Sequence, residues 1–214
     1  MKIAIFGTVG AGKTTLIDKL KSKLPKDYQV FWEPLSDNPY FEDSYSPNQI
    51  ISRAAAYKME LLMLANRMKQ FLDSKQYQNV IYDRGIMDTI IFAHCNYEAG
   101  NIDERDWKVY REYFEISVLP SIFKGPNQEG YDLVVYLKVS PETSIRRIHT
   151  RAIERELAVD NVFWTKLTEM YDRWYLHLKD AFPFMVIDGN LEDPEIYANQ
   201  VIAHVKQINS LGNK

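Results

Sequence analysis

The chain has 214 residues, 46% hydrophobic and 26% charged, with a formal net charge of −3 and an isoelectric point near 5.9. That mixture suits one globular domain with a sizeable core, excludes collagen-like, fibrous and disordered chains, and offers no positive field for holding a nucleic-acid polymer. A single cysteine, Cys95, allows no internal disulfide, and no apolar run approaches the roughly 18 residues of a membrane span, so the expectation is a cytoplasmic protein with no membrane partner.

Lys2 to Phe6 (KIAIF) is an unbroken apolar run ending at a glycine, as expected of a strand buried on both faces of a parallel sheet. A glycine-rich loop then enters a helix from Lys13 to Leu24. Tyr28 to Pro34 (YQVFWEP) reads as a second strand, stopped by a proline that lacks a ladder donor, with Glu33 just before it. From about Pro47 to Ser74 the pattern is one long helix. Ile51, Ala54, Ala55, Leu61, Leu62, Ala65, Met68 and Leu72 recur at three- and four-residue steps and are expected to face the core. Arg53, Tyr57, Glu60 and Arg67 share the other side, where solvent is the ordinary expectation.

Asn79 to Asp83 and Tyr131 to Ser140 read as two more strands, separated by an aromatic and charged helical region from about Asp88 to Phe123. Ser140 followed by Pro141 predicts a capped helix start, and that helix carries Arg146, Arg147, Arg151 and Arg155. An aromatic helix from Asn161 to Leu178, a fifth strand and turn over Phe184 to Asn190, and a closing helix from Pro194 to Leu211 complete the chain. Strands alternating with helices predict an α/β fold: a five-stranded parallel sheet flanked by helices in a single domain over 1–214.

Gly7 to Thr14 (GTVGAGKT) fit GxxxxGK[ST], in the strand, loop and helix order that this phosphate-binding motif requires. Gly7, Gly10 and Gly12 permit a loop whose amides, with those of Thr8, Val9, Ala11 and Thr15, point inward at phosphate beside the positive end of the following helix. Lys13 is expected to reach the outer phosphates and Thr14 to ligate Mg2+, which makes ATP with Mg2+ the expected cofactor pair and the P-loop NTPase fold the expected architecture. Asp83, at a strand end, is the candidate carboxylate near the metal, and Arg84 beside it a fixed cation for the transferring group. Glu33 lies at the same sheet edge; it is either an ordinary edge carboxylate or the base that takes a proton from an attacking hydroxyl. Arg147, Arg151 and Arg155 form one stripe, either solvated or part of an arginine-rich lid at about 146–158 that closes over phosphates.

A regulatory GTPase is expected to show DxxG and NKxD, and neither occurs. A motor or transporter ATPase commonly has a glutamate beside the strand-end aspartate, where Arg84 stands here. These absences leave phosphoryl transfer to a small acceptor as the favoured chemistry.

"GTVGAGKTT", "WEP" followed by "NPYF", "YKMELLMLANRMKQ", "YDRG" and "YLKVSPETSIRRIHTRAIERE" stand in the order and spacing of the deoxynucleoside kinases. Over nearly its whole length the chain resembles the small bacterial purine members most. The resemblance implies that Glu33 deprotonates a deoxynucleoside 5′-hydroxyl, that Arg84 contacts that oxygen and the phosphoryl group, and that Asp83 lies near magnesium. It also implies that Tyr57, Glu60 and Arg67 line the nucleoside site, with Asp88 as the acidic partner of Arg67 in reading the base, and that Glu156 holds the sugar 3′-hydroxyl with Tyr45 or a neighbour. Arg147 and Arg151 are the implied phosphate contacts, and a homodimer is the implied assembly. The chain departs from the family where Ile153 replaces a third lid arginine and where Glu60 replaces a glutamine. An ionised carboxylate only accepts hydrogen bonds, so Glu60 points to deoxyguanosine, whose N1 and amino hydrogens form two adjacent donors, ahead of deoxyadenosine and deoxycytidine. A nucleoside monophosphate kinase of the thymidylate kinase type, or a nucleotide-binding regulator without transfer activity, are the alternatives.

Overall fold

The computed structural model describes residues 1–35, 38–44, 46, 48–126 and 128–212; Tyr45, a candidate sugar contact, lies outside them. The elements run β1 (Lys2–Phe6), α1 (Lys13–Lys23), β2 (Tyr28–Phe31), α2 (Phe41–Ser44), α3 (Gln49–Asp73), β3 (Asn79–Asp83), α4 (Asp88–Glu98), α5 (Glu104–Tyr113), α6 (Leu119–Ser121), β4 (Leu133–Lys138), α7 (Pro141–Arg151), α8 (Glu154–Leu157), α9 (Asn161–Leu178), β5 (Phe184–Asp188) and α10 (Pro194–Gly212). The five strands form one parallel sheet in the order β2-β3-β1-β4-β5.

All five residues of β1 are buried, and the strand period of two sends them to opposite faces. Ile3 and Ile5 pack with Leu16 and Leu20 of α1, Leu133 and Val135 of β4, and Val201 and Val205 of α10. Ala4 and Phe6 face the other layer, with Leu64 and Phe71 of α3, Ile90 and Ile91 of α4, and Trp164, Leu167 and Tyr171 of α9. Each fully buried side chain of this size contributes about 1.5–3 kcal/mol, so a central strand filled on both faces is the main anchor of the fold.

Two expectations change. β2 ends at Phe31, paired with Tyr82, rather than at Pro34; from Trp32 the chain leaves the sheet edge, and the Trp32 carbonyl accepts from Gln70 Nε2 on α3. The long helix is present, but with its other side inward. Ala55 is buried, whereas Ile51, Leu61 and Leu72 are exposed; the inward rows are Ala55, Met59, Met63, Arg67 and Phe71, and Ala56, Glu60 and Leu64. Glu60 and Arg67 therefore occupy core positions, while Arg53 is exposed. The helical region 88–123 is divided. After α5 a π turn spans Phe114–Val118, in which the Leu119 N–H reaches the Phe114 carbonyl, just ahead of Pro120, which has no N–H to continue a regular ladder.

Ser140 caps α7 as expected, its Oγ accepting from the Thr143 N–H at 3.2 Å. α7 ends at Ala152 in the left-handed conformation, and α8 turns back with Arg155 and Glu156. Among the described residues no helix is long and apolar enough to cross a membrane.

Candidate active site

The loop between β1 and α1 is shaped by backbone that only glycine adopts easily. Gly10 has φ +74, and a Cβ there would lie 2.5 Å from the Ser144 carbonyl oxygen; α7 supports the loop further through Ser144 Oγ, which donates to the Val9 carbonyl at 2.7 Å. α1 starts at Gly12 with no side-chain cap and no acidic residue in its first turn. Its first amides are therefore left for an outside acceptor, and the helix dipole favours an anion there. Lys13 is buried and donates to the Thr8 carbonyl at 2.9 Å; burial, with Arg84 nearby, pulls its ammonium down to about 7. Thr8 is buried under α9, where Thr168 Oγ1 lies 3.3 Å from its hydroxyl; Ala11 is buried, and Thr14 and Thr15 are exposed.

A cleft of about 320 Å3 brings the predicted chemistry together: Gly10, Lys13 and Thr14 from the loop, Glu33 after β2, Asp83 and Arg84 at the end of β3, and Arg151, Arg155 and Glu156 from α7 and α8. It lies beyond the carboxyl ends of the parallel strands, where such sheets bind ligands. A larger hollow, of about 660 Å3, beside Lys2, Lys75 and Lys124 contains none of these groups. There Lys2 pairs with Glu129, and Lys124 with Asp132.

Glu33 is gripped by two guanidiniums. Arg67 Nη2 donates to its Oε1 at 2.6 Å, and Arg84 Nε comes within 2.9 Å of the same oxygen without the alignment of a hydrogen bond. Burial pushes the carboxyl up, but Arg84, Arg67 and Lys13 outweigh it and hold Glu33 below its ordinary value. Arg84 itself has φ 69, a left-handed backbone that costs about 1–3 kcal/mol for a non-glycine residue. Its Nη1 donates to the Gly7 carbonyl at 2.7 Å and to the Tyr171 hydroxyl at 2.5 Å, and its guanidinium lies over the Phe92 ring. The strained turn throws Arg84 back across the strand ends, between the phosphate loop and Glu33.

Asp83 carries a buried carboxylate oxygen, Oδ1, without a hydrogen-bond partner, and burial raises its carboxyl despite Lys13. An unpartnered buried carboxylate oxygen in the same cleft as the Thr14 hydroxyl fits a Mg2+ site, since Mg2+ is usually held by one or two carboxylates plus phosphate oxygens. No group of three or more His, Cys, Asp or Glu suited to a metal occurs among the described residues, so a cage made wholly of protein ligands is not offered.

Asp88 and Arg67 do not meet in an ion pair. Asp88, fully buried, accepts from the Gly85 N–H at 2.9 Å and from the Tyr171 hydroxyl at 2.7 Å, and its nearest cation is Arg84 Nη1 at 3.7 Å. It braces the turn that aims Arg84, and Arg67 is spent on Glu33. Glu60 lines a narrow cavity of about 30 Å3 with Met59, Met63, Arg67 and Phe92, and accepts from Asn96 Nδ2 at 2.9 Å. Tyr57 packs edge-on against Tyr110 and lines neither cavity. Glu156 accepts from Arg151 Nη2 at 2.5 Å at the cleft mouth. Arg147 bonds the Ala11 and Leu191 carbonyls, tying the phosphate loop to the turn after β5, and does not line the cleft; Arg155, which does, lies over the Phe41 ring.

Tyr171 and Asn96 were not singled out by the sequence. Tyr171 is one aromatic among many on α9 and Asn96 an unremarked polar residue on α4; only the packing of α9 on α4 and of α4 on α3 gives them roles.

A phosphate loop under a parallel sheet, with a strand-end carboxylate and an arginine cleft, defines a P-loop phosphotransferase. The model of the deoxynucleoside kinase family matches residues 3–210, and the chain belongs to that family. It is 30% identical over 174 residues to a deoxyadenosine/deoxycytidine kinase of Bacillus subtilis (strain 168), covering 80% of this chain and 75% of that one. It is 27% identical over 217 residues to a deoxyguanosine kinase of the same strain, covering 96% of each. Among solved structures it matches deoxyadenosine kinase from M. mycoides with its products dCMP and a flexible dCDP bound, at a TM-score of 0.83 and 34% identity, covering 97% of this chain and all (100%) of that one.

Proposed function

We propose that this chain transfers the outer phosphoryl group of ATP to the 5′-hydroxyl of a deoxynucleoside, with purines preferred, deoxyguanosine or deoxyadenosine ahead of deoxycytidine. The observation that carries the reading is the single cleft holding phosphate loop, Glu33, Arg84 and Asp83 together. The loop amides and Lys13 hold the phosphates. Thr14 and Asp83 are the residues to hold Mg2+, which when bound supplies charge neutralisation at the transferring group. Glu33, kept ionised by Arg67 and Arg84, takes the hydroxyl proton, while Arg84 reaches from the loop carbonyl of Gly7 toward the acceptor oxygen. Such transfer is mainly positioning and electrostatics.

In this reading the chain acts as one unit over 1–214. The end of α7 and α8, at about 146–158, serve as a lid in which Arg151 and Arg155 face the phosphates and Glu156 the sugar 3′-hydroxyl. Arg147 secures the loop from behind. Asp88 positions Arg84 rather than reading the base. A homodimer is the expected assembly, supported by the exposed Leu61, Leu72, Val109, Tyr113 and Ile116 on the outer helices. A monophosphate kinase would need a cation for the acceptor's own phosphate, yet Arg53 is exposed and Arg67 is engaged by Glu33. A coupled assay of ATP consumption across the four deoxynucleosides and their monophosphates tests the proposal. Turnover with monophosphates but not nucleosides would replace it.

A further inference from the structure

We propose that Glu60 reads the base as a neutral carboxylic acid near neutral pH, doing the work of an amide, and that its ionisation in the alkaline range shifts preference from deoxyadenosine and deoxycytidine toward deoxyguanosine. This rests on the deoxynucleoside kinase reading and deepens it.

Glu60 occupies one of the inward rows of α3 and is 2% exposed, with Met59 and Met63 beside it and Phe92 and Phe41 on the same cavity wall. Placing an ionised carboxylate there needs a cation or several donors. Neither is supplied. Among the described residues Glu60 makes no ion pair, and the arginine of its own helix that lines the same cavity, Arg67, is engaged by Glu33 at 2.6 Å. The groups that face it are Arg67 on α3, Glu33 after β2, Arg84 after β3, the Cys95 thiol and Asn96 on α4, and Tyr110 on α5, whose hydroxyl donates to the Glu60 backbone carbonyl at 3.5 Å. Cys95, pushed up to about 12 by burial, and Tyr110, raised by burial, stay neutral, so the charges that chiefly act on Glu60 among the described residues are two arginines against one glutamate already paired with both. Desolvation therefore outweighs Arg67 and Asn96, and the Glu60 carboxyl is raised to about 8.

Asn96 fixes the orientation. Its Oδ1 accepts from Asn101 Nδ2 at 3.1 Å, so its Nδ2 is the group that donates to Glu60 Oε1. Oε1 is then the carbonyl oxygen, with a second lone pair to spare, and the proton belongs on Oε2. In that form the acid offers a donor beside an acceptor. Adenine and cytosine each present a ring nitrogen acceptor beside an amino donor and match it in a bidentate pair; guanine matches through O6 and N1–H. After ionisation only acceptors remain. Guanine then still pairs through its N1 and amino hydrogens, whereas adenine and cytosine meet their ring nitrogen with a like lone pair. The cavity of about 30 Å3 is far below the roughly 300–1,000 Å3 of ligand pockets, so a base enters only as the walls move apart, and the Asn96 contact keeps the carboxyl oriented as they do.

The test measures kcat/KM for deoxyadenosine and deoxyguanosine across the neutral and alkaline range in the wild type and in Glu60→Gln. The ratio of deoxyadenosine to deoxyguanosine is expected to fall about tenfold or more in the wild type as pH rises through about 8, the loss of one good hydrogen bond, and to follow only the titration of the substrates themselves in Glu60→Gln. A second measurement needs no variant: calorimetry of nucleoside binding in two buffers of different ionisation heat, near pH 8. Deoxyadenosine binding is expected to take up a proton. Identical pH dependence in the two proteins, or no proton uptake with deoxyadenosine, overturns the inference while leaving the kinase reading intact. Absence of phosphorylation of any deoxynucleoside at any pH removes the reading and this inference with it.

Discussion

Glu33→Gln replaces the one carboxylate between two guanidiniums with a neutral amide of the same shape. Arg67 and Arg84 are 4% and 3% exposed, and both approach Glu33 Oε1 within 2.9 Å. Removing a partner from a buried pair costs about 3–5 kcal/mol. Glutamine keeps a carbonyl for Arg67, and Asp88 and Tyr171 still face Arg84, so about 1–3 kcal/mol is expected here, a fall in Tm of about 2–12 °C for a chain of this size. Loss of the base is separate and larger in effect: about 10²–10⁴-fold in kcat, with ATP affinity nearly unchanged because the loop does not depend on Glu33. Circular-dichroism melting, ATP titration and a coupled kinase assay on the same preparation separate the two. The pH dependence follows from the sign of the shift. Because Glu33 is held below its ordinary value, its stabilising contribution is present above the unfolded value and is lost as pH falls through the folded one. The wild type should therefore lose its stability advantage over the variant only in acid. A folded variant with kcat within about tenfold of wild type would refute Glu33 as the base.

Gly10→Ala places a methyl 2.5 Å from the Ser144 carbonyl on a backbone at φ +74; the left-handed conformation alone costs about 1–3 kcal/mol, and ATP affinity is expected to fall at least about tenfold by calorimetry. Asp88→Asn loosens the turn that aims Arg84, so kcat and Tm are expected to fall while the relative rates on the four deoxynucleosides stay as they were. A changed base preference would return Asp88 to the base site. Glu156→Ala is expected to lower kcat/KM for a deoxynucleoside about 10–100-fold, the value of a charge-assisted hydrogen bond, and to leave a 2′,3′-dideoxynucleoside little affected. Equal losses on both would show that Glu156 serves only to hold Arg151.

The parts legible in the sequence are those whose physics is local. An apolar run ending in glycine, a loop that needs positive φ, and a serine and proline opening α7 each carry their own reason, and β1, the phosphate loop and the Ser140 cap stand where those reasons put them. Strand ends were less legible, since β2 stops where pairing with β3 stops, and that is a property of the partner. α3 shows the harder case. Its sequence is apolar on nearly every side, so periodicity allows more than one phase, and a rule that sends charges outward chooses the phase that exposes Glu60 and Arg67. The structure takes the other phase, leaving Ile51, Leu61 and Leu72 exposed and two charged residues inside.

That inversion has a physical meaning. A helix that exposes leucines while burying a glutamate and an arginine gives up apolar burial of about 1.5–3 kcal/mol per side chain and adds a desolvation cost. The Arg67 cost is offset by Glu33, a residue from a different element, and so could be offset only after β2 and α3 were brought together. The Glu60 cost is met by protonation and one amide, which leaves a polar group with unspent hydrogen-bonding capacity against an apolar cavity wall. Stability alone would replace Glu60 with leucine or methionine, and in the reading proposed above the same chemistry that makes it costly lets it tell one base from another. Glu60→Leu should accordingly raise Tm in thermal denaturation while lowering kcat/KM for every deoxynucleoside. A variant that lost stability would show that Asn96 and its neighbours need the carboxyl for the fold itself.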